Sequence, residues 1–89
     1  MEISITRRAK KDYLKLIFGK PKLEEELETL FGLLLAGQPL PPKYKDHPLK
    51  GGWNEYRDCH LRPDILVIYK KTTAVIYIAR INTHSEIFG

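Results

Sequence analysis

The last third of the chain constrains the fold most. Three runs, EYRDCHL from Glu55, DILVIYKK from Asp64 and AVIYIARI from Ala74, are rich in β-branched and aromatic residues, with turns near Arg62-Pro63 and Lys71-Thr72-Thr73. Parallel pairing of consecutive strands needs a crossover of about a dozen residues, and neither turn has room for one. The three runs are therefore expected to form an antiparallel meander.

The first half has a different period. Ile3 and Ile5 alternate with polar neighbours between Glu2 and Thr6, which predicts a short strand able to join the meander as an edge. Thr6 can cap a helix through its hydroxyl, and Ala9, Tyr13, Leu16 and Ile17 fall on one face of that helix before Gly19 and Pro21 end it. Pro21 suits the first turn of a second helix, because its fixed φ and missing N–H cost nothing there. Leu23, Leu27, Leu30, Phe31 and Leu34 form the apolar stripe of this helix, and Gly37 is placed to terminate it.

The expected architecture is a single α+β domain over residues 1–89, in the order β-α-α-β-β-β. It comprises an antiparallel sheet with a two-helix hairpin packed on one face. Between helices and meander lies QPLPPKYKDHPLKGGWN, residues 38–54, which holds four of the six prolines and reads as a long ordered loop. Loops longer than about 12 residues are uncommon in small domains and often carry function.

Charge and composition narrow the functional classes. No run approaches the roughly 18 apolar residues of a membrane helix, and the N-terminus lacks the apolar stretch of a signal peptide, so a cytoplasmic protein is expected. Cys59 is the only cysteine, which excludes an internal disulfide, and its position suits a small buried strand residue. The net charge of +4 is uneven, with basic residues before Pro21 and after Pro39 flanking an acidic second helix. That distribution suits a polyanion such as nucleic acid, and equally a solvated surface without a partner.

Strand alternation sorts the polar groups of the first meander strand. Tyr56, Asp58 and His60 share one face, while Arg57, Cys59 and Leu61 share the other. The three histidines, His47, His60 and His84, lie in the loop, the strand and the C-terminal tail, with no zinc-ligand spacing, so no metal or other cofactor is expected.

Their company suggests a different chemistry. RNA cleavage without metal needs a base for the 2′-hydroxyl, an acid for the 5′-leaving oxygen and cations for the charged transition state. Imidazoles titrate near neutrality and suit both proton roles, with Asp58 or Asp64 to orient them. Lys50, Arg62 and Arg80 are candidates for phosphate contact. Phe88, one residue from the end, is a candidate for base stacking, and Trp53 is expected to pack in the core beneath the loop.

The segments YKDHPLKGGW, YRDCHLRPDILVIYK and RINTHSEIFG resemble the RelE superfamily of bacterial toxins, in its YafQ-like branch. The resemblance implies a RelE-like fold and a ribosome-dependent mRNA endonuclease, or mRNA interferase, that works without metal. It also implies a cognate antitoxin as partner, beside the ribosome and mRNA. By the same resemblance His47, His60, Asp64 and His84 are the catalytic positions, His84 being the general acid, and Phe88 matches the terminal aromatic. Asp58 supports the histidines. Two alternatives stand beside this reading: a ParE-like gyrase inhibitor without nuclease residues, and a plain nucleic-acid or protein interaction module.

Asp64 raises a geometric problem. A simple two-residue Arg62-Pro63 turn would place it on the face opposite His60; a wider turn, a bulge or a reach around the sheet edge would let both serve one site, and the wider turn is expected here.

Overall fold

The computed structural model describes residues 1–89. Its elements are β1 (Glu2–Ile5), α1 (Arg7–Ile17), α2 (Pro21–Ala36), β2 (His47–Pro48), β3 (Arg57–Arg62), β4 (Ile65–Lys71), β5 (Val75–Thr83) and α3 (His84–Phe88). The helix signals act as expected. Thr6 caps α1 by accepting from the Ala9 N–H, Pro21 opens α2, and Gly37 closes it in the left-handed conformation at φ 74°.

The five strands run in the order β1-β5-β4-β3-β2. The meander β3-β4-β5 is antiparallel, as the short turns require, and β1 joins at an edge. However, β1 pairs with β5 in parallel, Glu2 opposite Val75 through Ile5 opposite Ile78, so the sheet is mixed and not wholly antiparallel. Short turns dictate direction only for consecutive strands. The long path from β1 through both helices and the meander imposes no such limit. The sequence reading also passed over β2, two residues within the proline-rich loop that pair with Asp58 and Arg57.

One side of the sheet meets the helices. Leu23, Leu27, Leu30 and Leu34 of α2 and Ala9 of α1 pack in one cluster with Cys59, Ile65, Val67, Tyr69, Ile76, Ile78 and Ile81. Burial of each such leucine or isoleucine is worth about 1.5–3 kcal/mol, and this cluster is the main source of stability. Leu66 and Ile68 are also buried but lie outside that cluster, on the sheet's other face. No helix is long and apolar enough to cross a membrane.

Candidate active site

The face away from the helices collects the predicted polar residues. Strand register aligns His47, Asp58, Ile68 and Arg80 in one row across β2, β3, β4 and β5, and His60, Leu66 and Asn82 in the next. Leu66 and Ile68 give this face an apolar floor between the polar positions. Asp58 and His60 do share a face, as alternation requires, and Cys59 lies on the other, buried in the core. Burial pushes the Cys59 thiol up, well away from the thiolate form a nucleophile needs.

His47 is brought to this face by its neighbour. The Asp46 carboxylate accepts a hydrogen bond from the Tyr69 hydroxyl at 2.6 Å and pairs with Arg57 Nε at 3.2 Å. Asp46 is thereby tied to side chains on the helix-facing side, and in extended backbone the next residue, His47, projects to the opposite one. Lys45, just before them, takes a left-handed φ of 49°, and its carbonyl accepts at 2.8 Å from His47 Nδ1.

Asp58 Oδ1 lies 3.3 Å from the same nitrogen. Two acceptors around Nδ1 place the proton there, so in the neutral ring Nε2 carries the lone pair. Asp58 is buried and His47 is half exposed, and this oxygen makes no well-aligned hydrogen bond.

The β3-β4 turn differs from the expected wider loop. Pro63 and Asp64 make a two-residue turn between the paired residues Arg62 and Ile65, and the irregularity sits earlier, where Leu61 bulges between the His60-Leu66 and Arg62-Ile65 pairs. One extra residue reverses the alternation, so Arg62 follows Leu61 to the helix side. There its Nε pairs with Glu26 of α2 at 2.8 Å, and each group holds the other's charge: Arg62 is pushed up and Glu26 down. His60 is half-buried and lines a groove of about 300 Å³ with Lys43, Tyr44, Leu61 and Thr29.

Asp64 and His84 leave the same end of the sheet. Ile65 pairs with Thr83, Asp64 precedes the first and His84 follows the second. Both are exposed. His60 lies on β3, about 10 Å from β5 with β4 between, at the usual strand spacing. Asp64 and His84 thus stand at one end of the sheet, with His60 near that end on β3 and His47 further in, beside Asp58 on β2, three strands from β5.

An aromatic series borders that region. His84 and Phe88 stand on one helical face of α3 with ring centroids 5.0 Å apart, Phe88 meets Trp53 at 6.1 Å, and Trp53 meets Tyr56 edge-on at 5.5 Å. Trp53 is thus half-buried in a surface series and not in the core beneath the loop, because its partner Phe88 arrives from the far terminus. Phe88 itself keeps 37% of its surface exposed.

Among the cations, Lys50 is exposed and unpaired, whereas Arg80 is held by Asp12 of α1 at 2.8 Å and 3.2 Å. Asp12 is a buried residue that sequence reasoning missed. A signal existed, since Asp12 falls at i+3 from Ala9 and i−4 from Leu16, within the apolar stripe, where a carboxylate needs a partner.

The whole chain, residues 1–89, matches the family described as bacterial toxin of type II toxin-antitoxin system, YafQ. It is 43% identical over 77 residues to the mRNA interferase toxin YafQ of Escherichia coli (strain K12), covering 85% of this chain and 84% of that one. The crystal structure of YafQ from E. coli strain BL21(DE3) superposes with a TM-score of 0.88 at 39% identity, over 98% of this chain and 97% of that chain. YafQ in the E. coli DinJ-YafQ complex superposes at 0.85, with 40% identity and the same coverage. The match over every element, including the loop that delivers His47 and the tail that carries His84, shows that the chain belongs to the YafQ family of type II toxins.

Proposed function

We propose that this protein is a cytoplasmic mRNA interferase, an endoribonuclease that cuts message on the ribosome and is silenced by a cognate antitoxin. The observation that supports the reading is the strand register, which sets His47 beside Asp58 and Asp58 and His60 on one face, with Asp64 and His84 just beyond the paired Ile65 and Thr83. It is supported by membership of a family in which a relative is named mRNA interferase toxin and occurs in a complex with DinJ.

The chemistry is an attack of the 2′-oxygen on the adjacent phosphorus. A base removes the 2′-hydroxyl proton, the P–O5′ bond breaks, and an acid delivers a proton to the departing 5′-oxygen, leaving a cyclic phosphate and a 5′-hydroxyl. His84, exposed at the start of α3, supplies the acid. Asp64 or His60 orients and activates the 2′-hydroxyl. His47, with Nδ1 held from behind, presents Nε2 to the substrate. Lys50 and the unengaged amino group of Arg80 meet phosphate oxygens, while Arg62 is held on the helix side by Glu26, and Phe88 stacks on a base. This route draws on no metal ion.

The test is a cleavage assay on one message, naked and on translating ribosomes, with ends mapped by primer extension and EDTA added to a naked-RNA control. Cuts that require ribosomes are expected. Equal cutting of naked RNA would remove the ribosome from the mechanism, and arrested translation with intact message would remove the nuclease.

Asp58 gives a graded prediction. Asp58→Asn weakens one of two acceptors at His47 Nδ1, but Lys45 O still holds the same proton. The loss in cleavage rate should be about tenfold, at the lower end of what removal of an orienting partner costs. A single-turnover rate unchanged within twofold would show that Asp58 does not act through His47.

A further inference from the structure

β5 is longer than its outer neighbour. β1 covers it only from Val75 to Ile78, which leaves the stretch from Ala79 to Thr83 without a strand on that edge. α1 takes the strand's place with side chains: the Thr6 hydroxyl donates to the Ala79 carbonyl at 3.0 Å, and Asp12 Oδ2 accepts the Ile81 N–H at 3.0 Å. Asp12 Oδ1 then accepts from Asn82 Nδ2 at 3.1 Å.

The connection continues into the catalytic tail. Asn82 Oδ1 accepts the Thr83 N–H at 2.8 Å, and the Thr83 hydroxyl caps α3 by accepting the Glu86 N–H at 3.2 Å. α3 has only five residues, far below the length at which a helix holds itself in water. Its orientation must come from its attachments, which are this hydrogen-bonded chain at the start and the Phe88-Trp53 contact at the end.

We infer that Asn82, held by the Asp12 carboxylate, is the positioning residue for His84: it fixes the Thr83 backbone and so the direction in which α3 presents the imidazole. The inference rests on the assignment of His84 to the reaction. Misplacing a reacting group by about 1 Å can cost on the order of a hundredfold in rate, so Asn82 should matter although it touches no reacting atom.

The experiment combines rate and spectroscopy on the full chain. Asn82→Ala should lower the single-turnover cleavage rate about 10- to 100-fold while half-saturation by ribosomes stays within about twofold. Its His84 ring-proton NMR signals, shifted in the wild type by the Phe88 ring 5.0 Å away, should move toward free-histidine positions. The double variant N82A/H84A should be no slower than H84A.

A folded N82A with unmoved His84 signals, or a double variant that loses the product of both effects, would overturn the inference. An active H84A would instead remove the assignment of His84, with the NMR shift still testing the positioning. If N82A does not fold, amide exchange on the wild type decides: protection of the Thr83 and Glu86 amides is expected, and free exchange at both overturns the proposal.

Discussion

His84→Ala should leave a folded toxin whose message cleavage on ribosomes falls by about 10²- to 10⁴-fold, the usual contribution of one positioned general acid. The side chain is exposed and makes no hydrogen bond within the protein, its one close partner being the Phe88 ring. Surface changes of this kind usually alter stability by no more than about 0.5 kcal/mol, so the thermal midpoint should stay within a few degrees. Activity lost without stability separates chemistry from folding.

A second substrate isolates the proton. With sulfur in place of the bridging 5′-oxygen, the leaving group departs as a thiolate and needs no acid. On that linkage His84→Ala should cut at nearly the wild-type rate. If the variant is equally impaired on both linkages, His84 binds or orients the message and another group is the acid. If it cuts the natural linkage at full rate, His84 has no part in the reaction.

The parts of the fold legible in sequence were those set by neighbours along the chain. Thr6, Pro21 and Gly37 mark helix ends because a capping bond, a fixed φ and a left-handed turn act within four residues of chain, and alternation placed Asp58 and His60 together for the same reason. The direction of β1 was not legible, since its partner Val75 lies across the whole chain and no short turn links them.

The bulge at Leu61 shows the limit within one element. Alternation is a local rule, but one extra residue reverses it, and nothing in LRPD distinguishes a bulge before Arg62 from a wider turn after it. Arg62 consequently lies on the helix side, paired with Glu26, 36 residues away. Arg80 was legible as a cation beside the site but not as half of a buried pair, because its partner Asp12 precedes it by 68 residues. Family resemblance joined His47, Asp64 and His84, which spacing alone could not, and the register puts Asp64 and His84 at one end of the sheet, with His47 beside Asp58 further in.

Asp12→Ala should be the most destabilising polar substitution in the molecule. Asp12 and Arg80 expose only 7% and 11% of their side chains, and the carboxylate also satisfies the Ile81 N–H and Asn82. Removing one partner of a buried pair costs about 3–5 kcal/mol, because the other charge is left without compensation. Domains have only about 5–15 kcal/mol in total, so the variant should unfold at a much lower urea concentration than wild type. Its thermal midpoint should fall by more than about 12 °C, at roughly 4 °C or more per kcal/mol for a domain of this size.

Acid supplies an independent check on the cause. Burial alone would raise the Asp12 carboxyl, but hydrogen bonds from Arg80, the Ile81 N–H and Asn82 outweigh it and hold the group below its ordinary value of 3.8. A carboxyl depressed in the folded state binds protons more readily when unfolded. Its contribution is therefore complete above the ordinary value and is lost as pH falls through the lower, folded one. The stability gap between wild type and Asp12→Asn, measured by urea unfolding, should be constant from pH 7 to about pH 5 and narrow below the ordinary carboxylate range. A gap that persists undiminished into strong acid would assign the loss to packing, and equal urea midpoints at neutral pH would show that the carboxylate does not hold α1 to the edge of β5.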